Sequence, residues 1–164
     1  MFKFTPALVA LALAAPLAAL PQLGQPAPAF NLPSNSGKNF QLKDFQGKWL
    51  VLYFYPADFT GGCTVQARRF QQDLPLYQKL NAQVVGVSVD TVDSHQKFCD
   101  SEGLKFPLLA DSQGRVGAMY GAPGGARNTY LVDPQGLLRR VFTQVSPTRN
   151  SSEVRQALKE LQGS

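Results

Sequence analysis

The sequence predicts an α/β domain built on a central mixed β-sheet flanked by helices. Three observations point to it. The runs KWLVLYFYP (48–56) and QVVGVSVD (83–90) are apolar without strict alternation, as in strands covered on both faces. The first is followed by a segment whose apolar residues recur near helical spacing and the second by one with helix start and stop signals, which gives a βαβ unit. Further on, two strand-like runs flank Asp133-Pro134-Gln135-Gly136, a good hairpin turn, so the same sheet must also hold antiparallel strands.

The elements follow in order along 164 residues, of which 44% are hydrophobic, enough for one domain with a buried core. Residues 1–21 carry Lys3 and then an apolar stretch from Ala7 to Leu20, too short and too Pro-interrupted for a membrane span. They read as a secretory signal peptide or, if uncleaved, an N-terminal anchor, leaving 22–164 as the folded domain. The Pro, Gly, Ser and Asn of PQLGQPAPAFNLPSNSGKNF (21–40) suit an extended arm with short strand pairings. After the first buried strand, residues 64–80 place Val65, Phe70, Leu74 and Tyr77 near helical spacing, and Pro75 predicts a kink or a second short helix.

The helix after the second strand, DSHQKFCDSEG (93–103), has Asp93 and Gln96 at capping-box spacing and Gly103 as its stop. FPLLAD (106–111) is a short strand and SQGRVGAMYG (112–121) a short helix. RNTYLVDPQGLLRRVFTQV (127–145) holds the hairpin strands, and Val154, Ala157, Leu158 and Leu161 mark a terminal helix. A hairpin and a terminal helix after a βαβ unit make a thioredoxin-like layout.

Charge narrows the function. Sixteen Lys and Arg against eleven Asp and Glu leave a formal +5, but the basic residues are scattered, with Arg68-Arg69 and Arg139-Arg140 as the short runs. A nucleic-acid surface would cluster them with aromatics between, so no nucleic-acid partner is expected. Two cysteines are too few for a disulfide scaffold even in an oxidising compartment, so each must act individually.

Cys63 follows Gly61 and Gly62 at the end of the first buried strand, in the first turn of the helix that begins near Thr64. Unpaired N–H groups and the helix dipole there favour a thiolate. The two glycines let the backbone approach a small substrate and argue against deep burial of the thiol. The Thr60 hydroxyl is within reach of the sulfur, and Pro56 stiffens and shields the loop.

The segment DFQGKWLVLYFYPADFTGGCT (44–64) resembles the active-site stretch of the peroxiredoxins, with Pro56, Thr60 and Cys63 at the spacing of their signature. Within that family the chain is most similar to the bacterioferritin comigratory protein or peroxiredoxin Q group, through LYFYP, GCT, GVS at 86–88 and FPLLAD, over residues 24–162. The resemblance implies a thioredoxin-fold, thiol-dependent peroxidase without metal, haem or flavin. Cys63 would be the peroxidatic thiol, oxidised to a sulfenic acid by hydrogen peroxide or an organic hydroperoxide. It also implies that Arg127, opening a later strand, lies beside the thiolate, and that thioredoxin or a similar dithiol protein recycles a monomeric enzyme.

The group's pattern is altered in three places. The position where many members carry a resolving cysteine is Arg68, the usual Pro before Gly-Cys is Gly61, and the usual Glu after the cysteine is Gln66. The resemblance then implies Cys99, on the helix after the second strand, as the possible resolving cysteine. A one-cysteine enzyme with Cys99 as a core residue stays open, as does a non-catalytic exported domain with a structural disulfide. The absence of a close cysteine pair argues against thioredoxin itself, and the Pro-Thr-Cys spacing against a glutathione peroxidase-like enzyme. His95, the sole histidine, reads as a helix-surface residue, and it makes no zinc site with two distant cysteines. Export to a periplasm or a thylakoid-type lumen is expected from the leader, with membrane contact only if the leader is retained.

Overall fold

The computed structural model describes residues 19–163, so most of the predicted leader lies outside the described residues. The arm forms a small hairpin, β1 (Asn31–Pro33) with β2 (Asn39–Gln41), and a single 3-10 turn, Leu42–Phe45. Then come β3 (Trp49–Phe54), α1 (Gly61–Lys79), β4 (Ala82–Ser88), α2 (Val92–Glu102), β5 (Leu108–Ala110), α3 (Arg115–Tyr120), β6 (Thr129–Val132), β7 (Leu138–Phe142) and α4 (Asn150–Leu161). The five-stranded sheet has the order β5-β4-β3-β6-β7, parallel among β3, β4 and β5 and antiparallel for β3-β6 and β6-β7. The mixed sheet of the sequence analysis is therefore present.

β3 is central and buried at all six positions. Strand alternation splits it between two cores. Trp49, Val51 and Tyr53 join Phe70, Tyr77, Phe98 and Leu158 on the face covered by α1, α2 and α4. Leu50, Leu52 and Phe54 join Phe30, Val116, Tyr120 and Tyr130 on the face covered by α3 and the N-terminal arm. This double coverage is why the strand reads as an unbroken apolar run.

Two local expectations change. α1 continues through Pro75 as a single helix. The proline is exposed, and just beyond it the helix is held by buried Tyr77, whose hydroxyl donates to the Ser151 carbonyl at 2.9 Å. α2 starts before the predicted Asp93–Gln96 box: Thr91 is the N-cap, its Oγ1 accepting from the Ser94 N–H at 3.1 Å, while Asp93 pairs with Lys97 one turn on. Gly103 does end the helix, at φ 64°.

Gly86 marks a tight approach inside the sheet. A Cβ there would stand 2.7 Å from Leu108 Cδ2 and 2.9 Å from the Tyr53 ring and hydroxyl. Gly86→Ala is expected to cost about 1–3 kcal/mol through overpacking, seen as a lower urea midpoint with an unchanged slope.

Because β3 and β4 run parallel, the loop 55–60 and the turn 89–91 leave the sheet at one edge. β6 runs the other way and begins at that edge, so the segment entering it, with Arg127, arrives beside the start of α1. The topology thus brings together residues far apart in sequence.

Candidate active site

Thr60 caps α1 in an extended conformation, which makes Cys63 the third helical residue, as expected from the sequence. Its thiol is not at an open turn, however: Cys63 is 1% exposed and packs in the core around Tyr53 and Phe70. The helix axis, set by burial of Ala67, Phe70 and Tyr77, turns the Cys63 side of its first turn inward.

Arg127 meets it there. Its Nη1 donates to Cys63 Sγ at 3.5 Å and to Gln66 Oε1 at 2.7 Å. Gln66 Nε2 donates to Asn150 Oδ1 at 3.0 Å, and Thr129 Oγ1 donates to the same oxygen at 2.9 Å. Gln66, Thr129 and Asn150 are fully buried, so a polar chain from α4 and β6 fixes where the guanidinium points. Asn150 was not legible in the sequence, where nothing distinguishes it from a helix-starting residue. Gln66 was noted only as a departure from a family pattern, and here its neutral amide is what orients the arginine.

The two glycines differ. A Cβ on Gly62 would lie 3.0 Å from Arg127 Nη2 and 3.4 Å from Pro147, whereas one on Gly61 would meet nothing within 4 Å. Gly62 is therefore the position that lets the guanidinium lie against the helix start. The expected Thr60 contact with sulfur is not made: its hydroxyl donates to the Ala57 carbonyl at 2.9 Å, so its single proton closes the loop instead. Pro56 is half-buried in that loop and lines, with Val89 and Gly124–Ala126, a narrow cavity of about 20 Å³. Arg127 itself borders an open cavity of about 590 Å³ with Gly121, Asn128 and Thr143–Val145.

Cys99 lies on α2 as predicted and is buried in the same core as Cys63; both cysteines are free. Burial, then the nearby Asp58 and Asp100 carboxylates, push the Cys99 thiol up to about 12. Arg68, exposed, forms a two-contact ion pair with Glu102 at the end of α2.

His95 is not on the surface. It is fully buried, with Nδ1 at 2.8 Å from Asp58 Oδ2 and Nε2 at 3.0 Å from the Leu109 carbonyl. Both ring nitrogens face acceptor oxygens. Asp58 also accepts from the Tyr55 hydroxyl at 2.6 Å and the Ser94 hydroxyl at 2.8 Å. Burial raises the Asp58 carboxyl, but the hydrogen bonds from His95, Tyr55 and Ser94 with the charge of His95 outweigh it and hold it below its ordinary 3.8. Helical periodicity gave no warning of this, because the partner sits in a loop 37 residues away.

A profile of the AhpC/TSA family matches residues 23–141. The chain belongs to this family. Peroxiredoxin Q of the chloroplast of Suaeda salsa is 39% identical over 145 residues, covering 84% of this chain and 68% of that protein. The structure of the Xanthomonas campestris bacterioferritin comigratory protein, described for its alkyl peroxide reduction activity, superposes with a TM-score of 0.77 at 31% identity, over 80% of this chain and 90% of that one. Two Cys-to-Ser mutants of Xanthomonas campestris peroxiredoxin Q superpose with a TM-score of 0.78 at 33% identity, over 88% of this chain and 98% and 99% of theirs. The two mutated cysteines have the same separation in sequence as Cys63 and Cys99. The chain is thus a peroxiredoxin of the peroxiredoxin Q and Bcp group, with the thioredoxin-like fold expected from its sequence.

Burial above all also raises the phenols of Tyr53, Tyr55, Tyr77 and Tyr120 from their ordinary 10.0. Like Cys99, they have folded values above their unfolded ones. The native state therefore keeps protons that the unfolded chain releases, and stability present below the unfolded values is lost as pH rises through the window. The urea midpoint is expected to fall from pH 9.0 upward, beginning with Cys99, whose window runs to about 12.

Proposed function

We propose that this peroxiredoxin is a thiol peroxidase reducing hydrogen peroxide and organic hydroperoxides at Cys63, with Cys99 as the resolving cysteine and thioredoxin or a similar dithiol protein as reductant. The observation that carries the reading is Cys63 Sγ in the first turn of α1 with Arg127 Nη1 at 3.5 Å. The thiolate attacks the terminal peroxide oxygen; the S–O bond forms as the O–O bond breaks, and the departing oxygen leaves as water or an alcohol after taking a proton. Arg127 and the N–H groups of the first turn of α1 face charge that moves from sulfur to the leaving oxygen.

Cys63 is then a sulfenic acid. Attack by the Cys99 sulfur forms the disulfide and releases the sulfenic oxygen as water, and two electrons from the dithiol restore both thiols. The shared core of the two cysteines and the equal spacing of the pair mutated in the Xanthomonas protein support Cys99 in this role. Its thiol resists ionisation where it stands, so the step calls for local opening of α2. The leader supports export, and the group resemblance supports a monomer.

Single-turnover consumption of hydrogen peroxide, with free thiols followed, tests the reading. Cys63→Ser should abolish turnover, and Cys99→Ser should complete one turnover and stall without an added small thiol. Equal slow consumption by wild type and Cys63→Ser would sink the assignment.

A further inference from the structure

The loop that carries Thr60 into α1 is fastened to the helix that carries Cys99. Three residues of α2 reach it. Ser94 and His95 donate to Asp58, and the Phe98 ring packs on the Phe59 ring with centroids 5.2 Å apart. Cys99 is the next residue after Phe98. On the loop side, Phe59 is 56% exposed and held at φ 62°, a left-handed conformation that a bulky residue adopts only under constraint. The Asp58 N–H donates in turn to Asp90 Oδ2 at 2.9 Å, which ties in the turn after β4. His95 Nε2 faces the Leu109 carbonyl and so anchors the same helix to β5.

Asp58, Asp90 and His95 have ligand atoms within 4.8 Å of one another, yet these atoms are engaged with Ser88, Ser94, Tyr55, Leu109 and the loop backbone. The cluster is built as a mechanical joint between two elements.

We propose that Asp58 and His95 are positioning residues that latch the Cys63 loop to the Cys99 helix, so that the movement delivering Cys99 also releases the loop. The inference rests on Cys99 being the resolving cysteine. When α2 opens, Phe98 leaves Phe59 and the Asp58 carboxylate loses two of its three side-chain donors. A buried carboxylate left with the Tyr55 hydroxyl as its one side-chain donor is unfavourable, so it moves to water and takes the loop conformation with it. Both sulfurs are freed by one event, and the peroxide-binding arrangement reassembles only after the disulfide is reduced.

Since His95 is the sole histidine, its ring resonances report the latch without ambiguity. Nitrogen–proton NMR of the full chain, reduced and after one equivalent of hydrogen peroxide, is the test, with the disulfide monitored by mass spectrometry. In wild type the doubly hydrogen-bonded ring pattern should disappear as the bridge forms. In Cys99→Ser it should persist after Cys63 is oxidised. Ser94→Ala, which removes one donor, should speed disulfide formation by about tenfold while slowing the first oxidation severalfold. A core change outside the latch, Leu161→Ala, should do neither.

Bridge formation with unchanged His95 resonances would overturn the latch, as would Ser94→Ala moving the two steps in the same direction. A protein in which no Cys63–Cys99 bridge forms would instead overturn the resolving role of Cys99, and the latch with it.

Discussion

Arg127→Ala should slow oxidation of Cys63 by about 10²–10³-fold, the usual consequence of removing a preorganised donor that faces developing charge. The guanidinium is the charged group placed by hydrogen bond on the sulfur, and its direction is set by Gln66 rather than by its own flexible stem. Arg127→Lys should recover little of the loss, because a compact, strongly hydrated ammonium lacks the rigid planar guanidinium that lies against Gly62 while Nη1 reaches Cys63 and Gln66. Gln66→Leu should lose about tenfold with Arg127 still present, since the arginine then keeps its charge but not its orientation. Second-order rates of peroxide consumption by the reduced variants check all three. Rates within twofold of wild type for Arg127→Ala would show that the arginine stabilises the fold and not the reaction.

His95→Leu should destabilise the protein by about 3–5 kcal/mol at neutral pH, the range for removing one member of a buried ion pair. The side chains of His95 and Asp58 are 0% and 1% exposed, so the abandoned carboxylate has no water to turn to. The effect has a pH signature. Because the Asp58 carboxyl is held below its ordinary value in the fold, it contributes stability that is present above the unfolded value of 3.8 and lost as pH falls through the folded one. His95→Leu removes its main partner, so the difference between variant and wild type should shrink in acid. Urea unfolding at neutral and acid pH measures this, and a constant difference would point to lost packing alone.

The layout was legible in the sequence wherever a segment's environment is uniform along its length. β3 and β4 are covered on both faces, so they read as apolar runs, and the Asp133–Gly136 turn declares itself through local backbone chemistry. Cys63 in the first turn of α1 was legible for the same reason, since a strand end, two glycines and a helix start are all local. The capping of α2 was misplaced by two residues because Thr91 and Asp93 are both good caps, and only the direction of the incoming chain chooses between them.

The burial of Cys63 and His95 was not legible, nor was the turning of the Thr60 hydroxyl away from the sulfur. Each depends on a partner supplied by another element: the Tyr53 core for Cys63, Asp58 and the Leu109 carbonyl for His95, the Ala57 carbonyl for Thr60. By itself the sequence determined the α/β layout and the place of Cys63 in the first turn of α1, and the family resemblance pointed to Arg127 beside it. Only the tertiary structure decided that Gln66 and Asn150 aim that arginine and that the two cysteine-bearing elements are joined through Asp58 and His95. The physical reason is that patterning records which residues are buried, whereas hydrogen bonds across 37 or 84 residues of chain are set by how the strands and helices are stacked.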